Sequence, residues 1–229
     1  VTAVVALIGL GNGLQAAVGA QFGVSSTEVI TIQAGGIALG PPGSLVSNPL
    51  TTNELDAVKK VNNVELVVRR NIITAIAEYN DKQTIAMATN IQSGEEREFL
   101  YEFMDAEPIE GRLLKEGEDN NVLVGYSFYD SEDTFGKKLE LGKSILINGQ
   151  KFRVSGILEK KGSFIMDSAI FFTDNALEDI DSFGDEVDLM VVKLKDPKLM
   201  DKTKEDIEDV LRKERGVDKG EEDFEVSTP

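Results

Sequence analysis

Apolar positions along this chain change texture three times, and the first texture is the most unusual. Val1 to Phe22 hold no charged side chain and open on an apolar run from Val1 to Leu10. Chain ends are ordinarily exposed and poorly ordered unless something ties them down. A helix that crosses a bilayer takes about 20 consecutive apolar residues, roughly twice this run. The expectation is therefore the outer end of a membrane helix whose earlier residues precede Val1, continued by Gly11 to Gln15 as a stalk leaving the lipid. No Lys or Arg occurs before Lys59. Cytoplasmic flanks of membrane helices are rich in both, so the exit is expected on the outer side.

The second texture is β-branched alternation. Glu28 to Gln33 predicts a strand, whereas Ala34 to Pro49, broken by Gly35, Gly36, Gly40, Gly43, Pro41, Pro42 and Pro49, predicts an irregular contact loop. Thr51-Thr-Asn-Glu54 has the capping-box pattern, with Thr51 as N-cap and Leu55 and Val58 on one face of a short helix. A strand starting at Val64 is expected to run through Ile72, Ile73, Ile76 and Ala77 to Tyr79, turn at Asn80-Asp81-Lys82 and return as Gln83 to Thr89. Glu95 to Met104 predicts a helix on the spacing of Phe99, Leu100 and Phe103. An irregular segment through Pro108, Gly111 and Arg112 follows, then a short buried strand, Asn121 to Gly125. The clearest local signal is Leu141 to Leu158, where Asn148-Gly149 separates two alternating runs and favours a type I′ hairpin. Ala169 to Phe172 predicts another strand, and Thr173 caps a short helix ending at Ile180.

The third texture is helical spacing near the end. A strand from Val187 to Leu194 leads through Asp196 as cap and Pro197 in the first turn into a helix carrying Leu199, Thr203, Ile207, Val210 and Leu211 on one side. Gly216 stops it, and Glu222 to Val226 forms a last strand. Strand-helix-strand thus occurs twice, at 28–77 and 187–227, implying parallel pairing across a crossover helix or a split version of that unit. The resulting fold class is α+β: one layered subdomain assembled from both chain ends, with an inserted β-rich subdomain near 81–182. Both termini then lie on the same subdomain.

Composition narrows the chemistry. A net charge of −17, from 24 basic and 41 acidic residues, argues against nucleic acid as a partner. Cysteine and histidine are both absent, which removes disulfides, thiol nucleophiles and Ser-His triads. Charge is also unevenly placed: residues 1–53 carry only Glu28, so the chain starts near something apolar and proceeds into water.

Three motifs invite a chemical reading. Gly9-Leu-Gly11-Asn-Gly13-Leu14 imitates a dinucleotide fingerprint, but the third conserved-type position needs a small residue for close helix packing and here is Leu14. Gly9, Gly11 and Gly13 are read instead as a candidate stalk hinge. Gly142-Lys143-Ser144 imitates the end of a phosphate-binding loop, yet Lys137 stands where that motif needs glycine, and a hairpin follows where a helix should. Acidic clusters at Glu116, Glu118 and Asp119, at Asp130, Glu132 and Asp133, and at Glu221 to Asp223 lack the calcium-loop pattern and are read as solvated surface. Asp196 to Asp218 alternates acids and bases, as a water-facing helix surface does. No catalytic, cofactor or metal residue is assigned.

Several segments, taken in order, resemble the extracytoplasmic (periplasmic) core domain of MacB-like ABC transporter permeases. They are Val4 to Gly13, Leu50 to Val58 with Val64, Glu110-Gly-Arg112, Phe135-Gly136, Leu141-Gly142, Phe152 to Leu158, and Asp223 to Pro229. The resemblance implies a porter-like subdomain with an inserted β-rich one. Its divisions are 1–27 (end of the first transmembrane helix and stalk), 28–80 (porter-like, first half), 81–182 (inserted) and 183–229 (porter-like, second half). It further implies a non-enzymatic, membrane-anchored domain of a homodimeric permease, on the extracytoplasmic side of the cell membrane. A cytoplasmic ABC ATPase would be its partner, and it would transmit ATP-driven motion to an extracytoplasmic adaptor or substrate. Against this stand two alternatives, a dinucleotide-binding oxidoreductase using Gly9 to Gly13 and a cell-surface ligand-binding module using the 34–49 loop.

Overall fold

The computed structural model describes residues 29–35 and 46–228. Its strands are β1 (Val29–Ala34), β2 (Leu50–Thr51), β3 (Val64–Arg70), β4 (Ile72–Tyr79), β5 (Lys82–Ile91), β6 (Pro108–Gly111), β7 (Asn121–Val124), β8 (Ser144–Ile147), β9 (Gln150–Leu158), β10 (Ala169–Thr173), β11 (Glu186–Val187), β12 (Leu189–Leu194) and β13 (Phe224–Ser227). The helices are α1 (Thr52–Val58), α2 (Glu95–Phe103), α3 (Glu132–Phe135), α4 (Phe164–Asp167), α5 (Asp174–Ile180) and α6 (Met200–Arg215).

Residues from the two chain ends build a four-stranded sheet in the order β13-β1-β12-β3, with every neighbouring pair antiparallel. The two strand-helix-strand units therefore take the split form: β12 lies between β1 and β3, and β1 lies between β12 and β13. Helices α1 and α6 cover one face, because their apolar spacing matches it. Leu55 and Val58 from α1 and Ile207 and Leu211 from α6 share a buried cluster with Ile30, Ile32, Val67, Met190 and Val192. The expected capping box starts α1, with the Thr51 N–H donating to Glu54 Oε2 at 2.6 Å. At the far end Gly216 closes α6 at φ 65°, the left-handed conformation glycine tolerates best.

Residues 72–173 form a second sheet of seven strands that closes on itself. Its pairings run β9-β7-β10-β5-β4-β8 and return from β8 to β9, while β6 extends the β8 side of β9. Alternate side chains of each strand point inward, as a closed sheet requires. Ala75, Ala77, Ala86 and Ala88 on β4 and β5 leave room for Phe152 and Phe172, whose rings meet edge to face at 5.0 Å. The hairpin at Asn148-Gly149 has positive φ at both residues (47° and 81°), as the type I′ reading demands.

Four local expectations are corrected. The strand from Val64 does not run unbroken to Tyr79; it stops at Arg70 and restarts at Ile72, and the two halves belong to different sheets. The strand from Val187 likewise breaks at Asp188, with Glu186–Val187 pairing to β2 and Leu189–Leu194 joining the four-stranded sheet. Pro197 does not begin α6 but a 3₁₀ turn, Pro197–Leu199, capped by Asp196 Oδ1 accepting from the Lys198 N–H at 3.0 Å. The segment through Pro108 and Gly111 is not irregular but is strand β6, paired with the end of β9.

A third buried cluster joins the two sheets. Val29, Val68 and Val191 on the second face of the four-stranded sheet pack with Phe99, Leu100 and Phe103 of α2 and with Leu123, Leu158 and Phe171 of the closed sheet. Both faces of the terminal sheet are thus covered, one by its own helices and the other by the inserted strands and α2.

Candidate functional site

The candidate site is the set of contacts that joins the two chain ends to each other and the four-stranded sheet to the closed one. It begins at the antiparallel pair β1/β13, in register Thr31↔Ser227, Ile32↔Val226, Gln33↔Glu225 and Ala34↔Phe224. Because the pair is antiparallel, the start of β1 and the end of β13 lie at the same edge, so the chain comes in and leaves side by side. Buried Ile32 and Val226 anchor the pair to the helices beneath it.

Arg215 fastens the other end of this pair. Its side chain is only 2% exposed. The guanidinium donates to Asp223 Oδ1 and Oδ2 at 2.6 and 2.8 Å, to the carbonyl of Asn48 at 2.7 Å, to that of Pro49 at 3.3 Å, and to Glu54 Oε1. One fork thereby joins the end of α6, the start of α1, the 48–49 segment and the residue before β13. Its hydrogen bonds hold the Asp223 carboxyl at about 2, below the usual carboxylate range. The sequence pattern placed Arg215 among the solvated charges of α6. That reading holds for Lys202–Asp206 at 3.1 Å and Lys204–Glu208 at 3.9 Å, and fails for Arg215. The available signal was position: an arginine beside Gly216 sits where the helix's last turn meets the following strand.

The two sheets meet where the chain crosses between them. On the way out the crossing is Arg70-Asn71-Ile72; on the way back it is Glu186-Val187-Asp188. Each crossing holds the other: the Ile72 N–H donates to Asp188 Oδ2 at 2.7 Å, Asn71 Nδ2 donates to the Glu186 carbonyl at 2.9 Å, and the Asp188 N–H donates to the Arg70 carbonyl at 3.1 Å. Asn90 adds a third strand to the knot, accepting from the Asn71 N–H at 2.8 Å and donating to Asp174 Oδ1 at 2.6 Å. Asn71 is fully buried, and its Oδ1 has no hydrogen-bond partner among the described residues. Burial pushes the Asp188 carboxyl up to about 6, against the opposing pull of the Ile72 N–H, and Glu186 and Asp181 push it the same way.

Other sequence candidates fall apart or lie elsewhere. Gly9, Gly11 and Gly13, together with the opening apolar run and most of the 34–49 loop, lie outside the described residues. Gly142 to Ser144 forms a turn into β8, with Lys143 Nζ 3.9 Å from Glu140, and no helix follows. Glu118 grips Arg112 through both carboxylate oxygens, at 2.7 and 2.5 Å. Asp119 accepts from the Thr173 hydroxyl at 2.5 Å. Among the described residues no group of carboxylates is arranged to hold a metal ion, and no helix is long and apolar enough to cross a membrane.

Residues 1–210 match the family model described as MacB-like periplasmic core domain. The chain belongs to that family. It is a family of periplasmic transporter domains rather than a catalytic one. No curated protein sequence matches the chain. Solved structures that share its fold include the periplasmic region of MacB from Actinobacillus actinomycetemcomitans and the extracellular domain of the noncanonic ABC-type transporter YknZ from Gram-positive bacteria. The first superposes with a TM-score of 0.66 at 18% identity over 90% of each chain. The second does so with a TM-score of 0.63 at 18% identity, covering 87% of this chain and 100% of the other.

Proposed function

We propose that this domain is the outer part of an ABC permease and works as a force transmitter, carrying ATP-driven motion from membrane helices to an extracytoplasmic adaptor or substrate. The observation that carries the reading is the β1/β13 pair, which brings the chain's two ends to one sheet edge. A helix leading into β1 and another following β13 would then pull on a single rigid object. Hydrogen bonds run along that pair and Arg215 fastens its inner end, so displacement would pass to α1 and α6 rather than peel the strands apart. From the sheet it would reach the closed β unit through the shared core and the knotted crossings at Asn71 and Asp188. On this reading the porter-like part comprises the four-stranded sheet with α1 and α6, and the inserted part comprises the closed sheet.

The working unit proposed is a membrane-anchored homodimer of the full permease with a cytoplasmic ABC ATPase. Family membership and the ABC transporters of similar fold support that arrangement. Gly9, Gly11 and Gly13 are proposed as the hinge where the stalk bends. In the full transporter, Gly11→Ala with Gly13→Ala should leave ATP binding intact while changing the number of ATP hydrolysed per substrate moved; unchanged stoichiometry would remove the hinge.

A further inference from the structure

A cavity of about 40 Å³ lies between the two sheets, walled by β3, β4, β5, α2, α4, β10 and β12. Its lining is apolar apart from Arg70 and Thr89. Arg70 is 7% exposed and forms no ion pair among the described residues. Its Nε and Nη2 both donate to the single Thr89 hydroxyl oxygen, at 3.3 and 3.0 Å, and its Nη1 reaches only the Met104 sulfur at 3.9 Å. A guanidinium carries five N–H donors in a planar fork suited to a carboxylate. A thioether is a weak acceptor, so much of this donor capacity is unspent. Burying a cation away from water without an anion in contact is costly, and Asp174 acts on Arg70 only from beyond ion-pair distance. Burial has accordingly lowered the Arg70 pKa to about 10, against the opposing pull of the Asp174 charge, which still leaves it charged at neutral pH.

We infer that this cavity is a binding site for a small amphiphilic carboxylate, its anionic head on Arg70 and its hydrocarbon body among the methionines. Met87, Met104 and Met166 line the space, three of the chain's five. As it stands, the cavity takes about three water-sized groups. Unbranched thioether side chains re-pack readily, so a chain of a few carbons can be admitted. The inference does not depend on the force-transmitting role. It adds a ligand at the joint between the two sheets, where an occupant would touch strands of both, with its head on Arg70 at the end of β3 and its body against β5, α2, α4, β10 and β12.

The test is a titration of the 229-residue chain with butyrate, followed through ¹³C-labelled methionine methyl signals. Met87, Met104 and Met166 should shift; Met190 and Met200, which belong to the cluster beneath the other sheet face, should not. Butylammonium and 1-butanol serve as head-group controls and should bind about ten-fold more weakly or worse, as expected when a charged hydrogen bond is lost. In Arg70→Met that preference should vanish. Should Arg70→Met fail to fold, the head-group comparison in the unaltered protein decides alone. Still methionine signals, equal binding of the alcohol, or a preference that survives in a folded Arg70→Met protein would each overturn the site.

Discussion

Thr31 and Ser227, 196 positions apart in the chain, are register partners across the first and last strands. An antiparallel pair formed by the two ends of a domain delivers its entering and leaving chains to one place. Neither strand is long, so the pair depends on what fastens it. The buried fork of Arg215 supplies that fastening from below, and the apolar undersides of Ile32 and Val226 supply the rest.

Replacing Arg215 should therefore cost far more than replacing any other basic residue of α6. Arg215→Met strands Glu54, itself 6% exposed, beside a lost cation. Breaking a buried pair by removing one partner costs about 3–5 kcal/mol. The urea midpoint should fall accordingly, whereas Lys202→Met, on an exposed pair, should move it by less than about 0.5 kcal/mol equivalent. Equal effects of the two substitutions would deny Arg215 its anchoring role.

Gly111 and Gly156, both within segments that carry the family resemblance, face each other across β6 and β9. A Cβ on Gly156 would lie 2.2 Å from the Arg112 carbonyl oxygen, and one on Gly111 would lie 2.3 Å from that of Ser155. Gly156→Ala should destabilise by about 1–3 kcal/mol through overpacking. Gly149→Ala is the informative control, since Gly149 has positive φ but open space around it, and should cost about 1 kcal/mol of backbone strain alone. Chemical unfolding of both variants separates contact from conformation; a harmless Gly156→Ala would mean the strands do not approach so closely.

Stability should carry a pH signature from Asp188. Its folded pKa, about 6, is raised above the ordinary 3.8, so the folded state holds this proton more tightly than the unfolded chain does. The group's contribution is fully present below about pH 3.8 and is lost as pH rises through about 6. Asp188→Asn keeps an acceptor for the Ile72 N–H and removes the titration. Between pH 4 and pH 7 the variant should gain stability relative to the unaltered protein, read as a growing difference in urea midpoint; a constant difference would contradict the burial argument. Asp223 behaves oppositely, its stabilisation being present above about pH 3.8 and lost as pH falls through about 2, so the two windows are separable.

Local structure was more legible in the sequence than the places where sheets change. The capping box at Thr51 and Glu54, the Asn148-Gly149 hairpin and the Gly216 stop are each written in at most four neighbouring residues whose local preference is strong, and each appears where expected. The breaks at Asn71 and Asp188 were not, because apolar periodicity on both sides is equally strand-like and only tertiary partners such as Asn90 and Glu186 decide where the chain leaves one sheet. Closure of the inserted strands into a ring depends on one hairpin, β8/β9, also meeting β4, a pairing between residues about 70 apart that local pattern does not encode. Arg215 was hidden for a similar reason: a charge surrounded by charges in sequence reads as solvated until the fold brings Asp223 and Glu54 against it.

Transmission by a rigid outer domain is tested most directly by distances in the full permease with its ATPase in lipid nanodiscs. These 229 residues hold no cysteine, so with any cysteines elsewhere in the permease and the ATPase replaced, introduced cysteines at Ile85, 75% exposed on the closed sheet, and at Lys202, exposed on α6, take the spin labels. Pulsed electron resonance on spin-diluted dimers reads Ile85 to Lys202 within a protomer, and fully labelled Ile85→Cys reads protomer to protomer. With ATP bound, the distance within a protomer should stay unchanged while the distance between protomers shifts. Protomer separations indifferent to nucleotide, or an internal distance that moves as far as the external one, would contradict it.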